Sequence, residues 1–303
     1  MILRKAGNGA RDPWVIRHEG VFYYCCSIHD SVCIVRSETL EGICDAPAVP
    51  VWKPEPGTRY SKNVWAPELH VIDGKCYIYV ACDNGINAFH RMYVLANDSS
   101  DPLAPYTFRG QIGDKTDRWA IDATVFTYQN QLYMCWSGWA DCVNVAQNLY
   151  LAKMSDPLTV SSERVMLSHP EHPWEKKGAT GLPESPFINE GPCAVVRGEK
   201  VFILYSASGC WCNDYCLGML RFDGGDIMDP ANWKKLPHSV FSSTPNVKGP
   251  GHCSVLVEEG ENESWLFYHA FEKDCRYGVN SAHAVAQRFT WRDDLTSLGT
   301  PEL

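Results

Sequence analysis

Three carboxylates and a histidine recur at matching places in this chain. They are Asp12 in "RDPW", Asp122 in "AIDATVF", Glu190 in "INEGPC" and His252 in "GPGHCSV". Each leads into a short apolar run and lies eight positions ahead of a Gly or Asn turn residue, and Ala66 in "VWAPELH" holds the same place in another segment. The five segments begin 54 to 68 residues apart. Taken singly, an acid at the mouth of a strand reads as a turn or loop residue. Four ionisable groups at five equivalent places read differently, because like charges brought together ionise with difficulty and such clusters mark working sites. A pair of carboxyls can protonate a departing oxygen and activate water, while a third tunes the acid's pKa. No nucleophilic Ser or Cys motif, phosphate loop or clear metal box competes, so the acids point to the chemistry of glycoside cleavage.

The elements that must position these residues are strands. Runs such as "VFYYCCS", "KCYIYVAC", "QLYMCWSG", "KVFILYSAS" and "SWLFYHAF" are rich in aromatic and β-branched residues, are bounded by turn residues, and face no rival segment of helical period. The chain is therefore expected to be all-β. Turn signatures in "NDSSDPLAPY", "MSDPLTV" and "IMDPANW" extend the middle repeats into several antiparallel strands each. Five such units in a ring make a five-bladed β-propeller, a single domain in place of the two that length alone suggests. Each unit is longer than a WD40 blade of about 40–45 residues and lacks its Trp-Asp signature. Residues after Asn262 and before Arg11 must close the ring, with "HAVAQRFTW" as the expected closing strand. In such a ring the five aligned positions share one height around one axis, which brings Asp12, Asp122, Glu190 and His252 to a central pocket.

Composition excludes several partners. The net charge is −9 and no Lys/Arg run could follow a phosphate backbone, which argues against nucleic acid and anionic membrane surfaces. No apolar stretch approaches the roughly 18 residues of a membrane span. The start, "MILRKAGNGARDPW", lacks the apolar core and cleavage site of an export signal, and the 14 cysteines are mostly scattered singly in apolar runs. The expectation from these features is a reduced, cytoplasmic protein, with a secreted mature form whose export signal has been removed as the alternative. Cys210, Cys212 and Cys216 form the one cluster, without the paired spacing of a zinc site. Among the 11 tryptophans, Trp65, Trp139 and Trp211 lie near the motifs and offer faces for sugar rings, although most of the set is expected to pack the strands.

Together, "RDPW", "VWAPELH", "AIDATVF", "INEGPC" and "GPGHCSV" resemble the motifs of glycoside hydrolase family 43, over essentially the whole chain. The resemblance implies a five-bladed propeller hydrolase that inverts the anomeric centre. It implies Asp12 as the general base, Glu190 as the general acid, and Asp122 as the residue that raises the acid's pKa and holds it in place. His252 resembles the family's axial histidine, set to meet substrate or, through water, a central cation. No cofactor is required on this reading, and a structural calcium in the channel is the one candidate ion. Within the family the motifs look most like exo-acting α-L-arabinofuranosidases, which release terminal arabinose from arabinan or arabinoxylan fragments. A β-xylosidase, endo-arabinanase or other furanosidase on the same scaffold is the second reading, decided by loops such as "SGWADCVN" and "SGCWCNDYC". A non-catalytic sugar-binding propeller is the reading of another class, and the presence of all three acids stands against it. The expected organisation is one catalytic domain over 1–303, without an appended binding module or β-sandwich.

Overall fold

The apolar runs are strands covered on both faces. The structure, a computed structural model, describes residues 1–257, 263–272, 274, 281–291 and 298–303. After β1 (Ile2–Arg4), the first repeat folds into β2 (Trp14–His18), β3 (Val21–Ile28), β4 (Ser31–Ser37) and β5 (Ala48–Trp52), hydrogen-bonded in that order. The second repeat gives β6 (Lys62–Ile72), β7 (Lys75–Asp83), β8 (Arg91–Asn97) and β9 (Thr107–Ile112). The third gives β10 (Ala120–Tyr128), β11 (Gln131–Gly138) and β12 (Ala146–Asp156), with the short β13 (Thr159–Val160) and β14 (Val165–Ser168) both paired to β12. The fourth gives β15 (Phe187–Arg197), β16 (Lys200–Ala207), β17 (Cys216–Phe222) and β18 (Trp233–Lys235). The last gives β19 (Lys248–Val257), β20 (Glu263–Phe271) and β21 (His283–Thr290). A two-residue parallel pairing of β12 with β15 joins the third and fourth meanders into one nine-stranded sheet. β21, from the expected "HAVAQRFTW" segment, is the third strand of the last sheet, and β1 pairs with it as the fourth.

Burial on both faces explains why these strands read as continuous apolar runs instead of alternating ones. Tyr23 and Cys25 of β3 pack with Ile78 and Val80 of β7, while the intervening Tyr24 and Cys26 pack with Phe267 of β20 and Ala284 of β21. Tyr79 and Ala81 of β7 turn the other way, to Ala123 and Trp136 of the third repeat. Equivalent cores lie between the third and fourth repeats and between the fourth and fifth. The opening strands β2, β6, β10, β15 and β19 contact one another in succession, and β19 packs back on β2. Side chains tie them as well: Trp14 Nε1 donates to the Leu69 carbonyl at 2.7 Å, and Ser254 Oγ to the Pro13 carbonyl at 2.7 Å.

Four of the five opening strands begin with a break in regular pairing. Register shifts fall between Trp65 and Glu68, Ile121 and Thr124, Glu190 and Cys193, and Gly251 and Ser254. The first bulged residue is left-handed in all four, with φ of 41° at Ala66, 55° at Asp122, 53° at Gly191 and 48° at His252, and Asp12 matches them at 53° just ahead of β2. A bulge re-aims a side chain, and a non-glycine left-handed residue costs roughly 1–3 kcal/mol, so these ends carry strain that the surrounding sheets must hold.

Here the structure corrects the sequence alignment by one residue. In the fourth repeat the left-handed position is Gly191, and Glu190 precedes it. The cause is the hairpin turn. Gly20, Gly74 and Asn130 are the second residues of two-residue turns whose first residues also have positive φ, whereas Gly198 is the first residue of the turn between Arg197 and Lys200. The turn expected at Gly260 lies outside the described residues.

Candidate active site

The bulged ends bring the acids and His252 together. His252 Nδ1 lies 3.2 Å from Asp12 Oδ1 and 3.9 Å from Asp122 Oδ2, so its ring stands between the two aspartates. Asp122 Oδ2 also accepts the Gly191 N–H at 3.1 Å. A side chain at 191 would meet the His252 ring at 3.1 Å on a left-handed backbone, so this position needs glycine, and the fourth repeat presents its acid one residue earlier on a longer side chain. Glu190 Oε1 accepts the Tyr215 hydroxyl at 2.8 Å. Behind Glu190, Asn189 is pinned by Ser137, whose Oγ donates to its carbonyl at 2.9 Å, and by buried Glu175, whose Oε1 accepts its side-chain N–H at 2.9 Å. Lys235 pairs with that Glu175 oxygen at 2.7 Å. His252 is fixed from behind by its N–H, which donates to Ser206 Oγ at 2.7 Å.

The three acids share a pocket but not an environment. Burial works against ionising Asp12, yet His252, His269 and Arg11 outweigh it and hold the carboxyl below its ordinary range. His269 Nδ1 lies 3.3 Å from both the backbone nitrogen and Oδ1 of Asp12. Burial also presses both histidines toward their neutral forms, His269 to about 4, so at neutral pH they face Asp12 as dipoles and Arg11 is the cation. Glu190 moves the other way. Burial, and behind it the Asp12 charge, push it up to about 7 against the Tyr215 hydrogen bond and Arg11. Asp122 is raised as well, by burial, then by Glu190 and Asp12, so Asp122 and Glu190 titrate as a pair. The arrangement supplies an ionised carboxylate and a protonated carboxyl in one pocket near neutral pH, which is what acid–base hydrolysis needs.

The tryptophans divide. Trp65 is 39% exposed and stacks on buried His90 at 4.0 Å between centroids. Trp119 meets His90 edge-on at 6.3 Å and stacks on Trp139 at 5.0 Å, which makes one aromatic row across the second and third repeats. Trp139 is buried, and its indole N–H has no hydrogen-bond partner among the described residues. Trp211 stands off this row and spends its N–H on the Gly178 carbonyl at 2.8 Å.

No group of three or more His, Cys, Asp or Glu among the described residues is arranged to hold a metal ion. His252 turns its Nδ1 to Asp12. Cys212 and Cys216 direct their thiols to the carbonyls of Lys177 and Ala207.

Comparison with known proteins decides the family. The sequence model of "Glycosyl hydrolases family 43" matches residues 7–296. The chain belongs to glycoside hydrolase family 43. This hydrolase is 35% identical to the "Extracellular exo-alpha-(1->5)-L-arabinofuranosidase" of Streptomyces chartreusis, over 86% of this chain and 79% of that protein. It is 34% identical to the protein of the same name from Streptomyces avermitilis, over 85% of this chain and 54% of that longer protein. The crystal structure of an α-L-arabinofuranosidase from Lactobacillus brevis superposes with a TM-score of 0.88 at 34% identity, over 97% of this chain and 95% of that one.

These relatives correct the cytoplasmic expectation, since both Streptomyces proteins are named extracellular. The cysteines had suggested a reduced compartment, but most of the free thiols described are buried, and a buried thiol packs as a small hydrophobe in any compartment. Tyr215, His269, Arg11 and Asn189 were not singled out from sequence. Asn189 and Arg11 each adjoin an acid, and Gly251 beside His252 marks Tyr215, because a side chain there would strike the tyrosine ring at 2.3 Å.

Proposed function

We propose that this family 43 hydrolase is an exo-acting α-L-arabinofuranosidase that removes terminal arabinose from arabinan or arabinoxylan oligosaccharides with inversion. Asp12 takes a proton from water, the water oxygen attacks the anomeric carbon, and Glu190 delivers its proton to the departing glycosidic oxygen. Asp122 holds the Gly191 end of β15 beside the acid and shares its titration. Trp65 offers its exposed face to a sugar ring, the buried Trp139 supports it through the aromatic row, Trp211 borders the pocket, and His252 orients Asp12. The observation that carries the hydrolytic reading is the contrast between Asp12, held ionised, and Glu190, pushed up to about 7. The arabinofuranoside assignment rests on the names of the two Streptomyces proteins and the Lactobacillus brevis structure.

The scaffold we assign to this activity is a single five-bladed β-propeller over residues 1–303. The cyclic contact of the five opening strands, the cores between successive repeats and the β1–β21 pairing support it. The test is nitrophenol release from a panel of aryl glycosides. Preference for the α-L-arabinofuranoside is expected. Preference for the β-D-xylopyranoside would reassign the substrate, and silence across the panel would leave endo-action or sugar binding, which digestion of linear arabinan separates.

A further inference from the structure

A hollow opens in the second repeat and contains none of the three acids. Arg59, Asn84, Phe89, Arg91 and Gln111 line it, with Asp117 in its wall. Arg59 lies just before β6, Asn84 just after β7, Phe89 and Arg91 at the start of β8, Gln111 near the end of β9, and Asp117 just before β10. These positions share the end of the second repeat at which β6 begins. The three acids lie at that same end of their own opening strands.

His90 connects the hollow's residues to Trp65. The exposed Trp65 rests on His90, whose Nδ1 is 2.9 Å from Asp83 Oδ2, and Arg91 Nη1 donates to the His90 carbonyl at 2.8 Å. The buried His90 thus supports Trp65 on its ring, while its chain neighbours Phe89 and Arg91 line the hollow.

The chemistry inside is uneven. Arg91 Nε and Gln111 Nε2 both donate to Asp117 Oδ1 at 2.7 Å, which commits those donors to the wall. Arg59 forms no ion pair among the described residues, and Phe89 beside it is 51% exposed. Two guanidinium groups against one carboxylate leave a positive charge in a protein whose net charge is −9. An aromatic face next to a guanidinium that faces Asp117 without pairing to it suits a sugar ring that carries a carboxylate.

We propose that this hollow is an accessory subsite for a uronate residue on the leaving-group side of the substrate, a reading that rests on the proposed glycosidase activity. It would let the enzyme grip an acidic polysaccharide away from the bond it cuts. Two sources share that chemistry, galacturonate of a pectic backbone and glucuronate on xylan.

The test is calorimetric titration of the full chain carrying Glu190→Gln, so that no turnover intervenes, with trigalacturonate, a glucuronate-bearing xylo-oligosaccharide and neutral arabinotriose. Binding of one or both acidic probes is expected, weakening with salt and falling about tenfold or more on adding Arg59→Met, while arabinotriose is unaffected. Phe89→Ala should weaken acidic and neutral probes alike if they share the aromatic face. In the otherwise wild-type chain, Arg59→Met should leave release of nitrophenol from the arabinofuranoside unchanged. Absence of acid-specific binding, or binding indifferent to Arg59, overturns the subsite while leaving the hydrolase reading intact. An enzyme silent on the arabinofuranoside that still binds uronate through Arg59 overturns the activity and keeps the site.

Discussion

Two buried carboxyls in this protein, Glu190 and Glu68, lie one layer apart and differ in what they can do. Glu68 holds, after the bulge in β6, the place that Thr124 and Cys193 hold after theirs in β10 and β15. Burial pushes both carboxyls upward, Glu190 to about 7 and Glu68 well above its ordinary range. Glu68 is closed in: its Oε2 is 2.9 Å from His70 Nε2, Thr124 donates to it, and His70 packs against Trp14 and Tyr79. Burial drives His70 down to about 3, so at neutral pH its ring is uncharged and brings no cation to offset the burial that raises Glu68. Glu190 has Tyr215 on one oxygen and stands in the pocket of Asp12 and Asp122. Desolvation alone therefore does not make a catalytic acid. The carboxyl also needs a reacting partner within reach and a second acid held in the opposite state.

The sharpest way to break this contrast is to remove the proposed proton donor or the proposed base. Glu190→Gln and Asp12→Asn should each lower kcat by about 10²- to 10⁴-fold while the circular dichroism spectrum and Tm stay near wild type. Either variant keeping near wild-type turnover would strip that residue of its role. In the wild type, kcat/KM should rise with pH as Asp12 ionises well below neutrality and fall as pH passes about 7, where Glu190 loses its proton. An alkaline limb far above that value would put the proton donor elsewhere.

Asp122→Asn should cost about tenfold or more in kcat and move the alkaline limb to lower pH, since the negative charge shared by the Asp122–Glu190 pair is what makes the second proton hard to remove. An unmoved limb would assign the raising of Glu190 to burial and Asp12 alone. Tyr215→Phe should act in the opposite sense and more weakly. The phenol hydrogen bond favours the charged form of Glu190, so its loss should carry the alkaline limb upward with a severalfold fall in kcat. A limb that moves down would mean that Tyr215 stabilises the protonated acid.

How much of this could be read beforehand depended on how locally each feature is encoded. The strands were legible because their apolar runs and turns are contiguous. Asp12, Asp122 and His252 were legible because a repeated bulge sits at a fixed distance from a repeated turn. Glu190 was found but placed one residue off, since a turn with glycine first looks in sequence like a turn with glycine second. Tyr215 and His269 were hidden, because they reach the pocket from a loop and from β20, where no period marks them. Compartment was misread because thiol burial and the look of an amino terminus do not fix where a protein acts. The Arg59 hollow had no signal, as its residues come from five separate segments that only the folded second repeat brings together.

The smallest effect tests the deeper carboxyl. Glu68→Gln keeps the size of the side chain, can accept from His70 and Thr124, and is uncharged at every pH. If Glu68 is neutral in the working enzyme, the variant should turn over within about twofold of wild type with the alkaline limb unmoved, because no charge has been removed from beside Asp122. Glu68→Ala should instead lower stability by about 1–3 kcal/mol, read as a drop in the urea midpoint, because Thr124 and His70 lose a buried partner. A downward shift of the limb in Glu68→Gln would show that Glu68 is ionised and raises the catalytic acids through space. The two layers would then form one electrostatic unit, and the boundary between closed pair and open site would have to be drawn below Glu68.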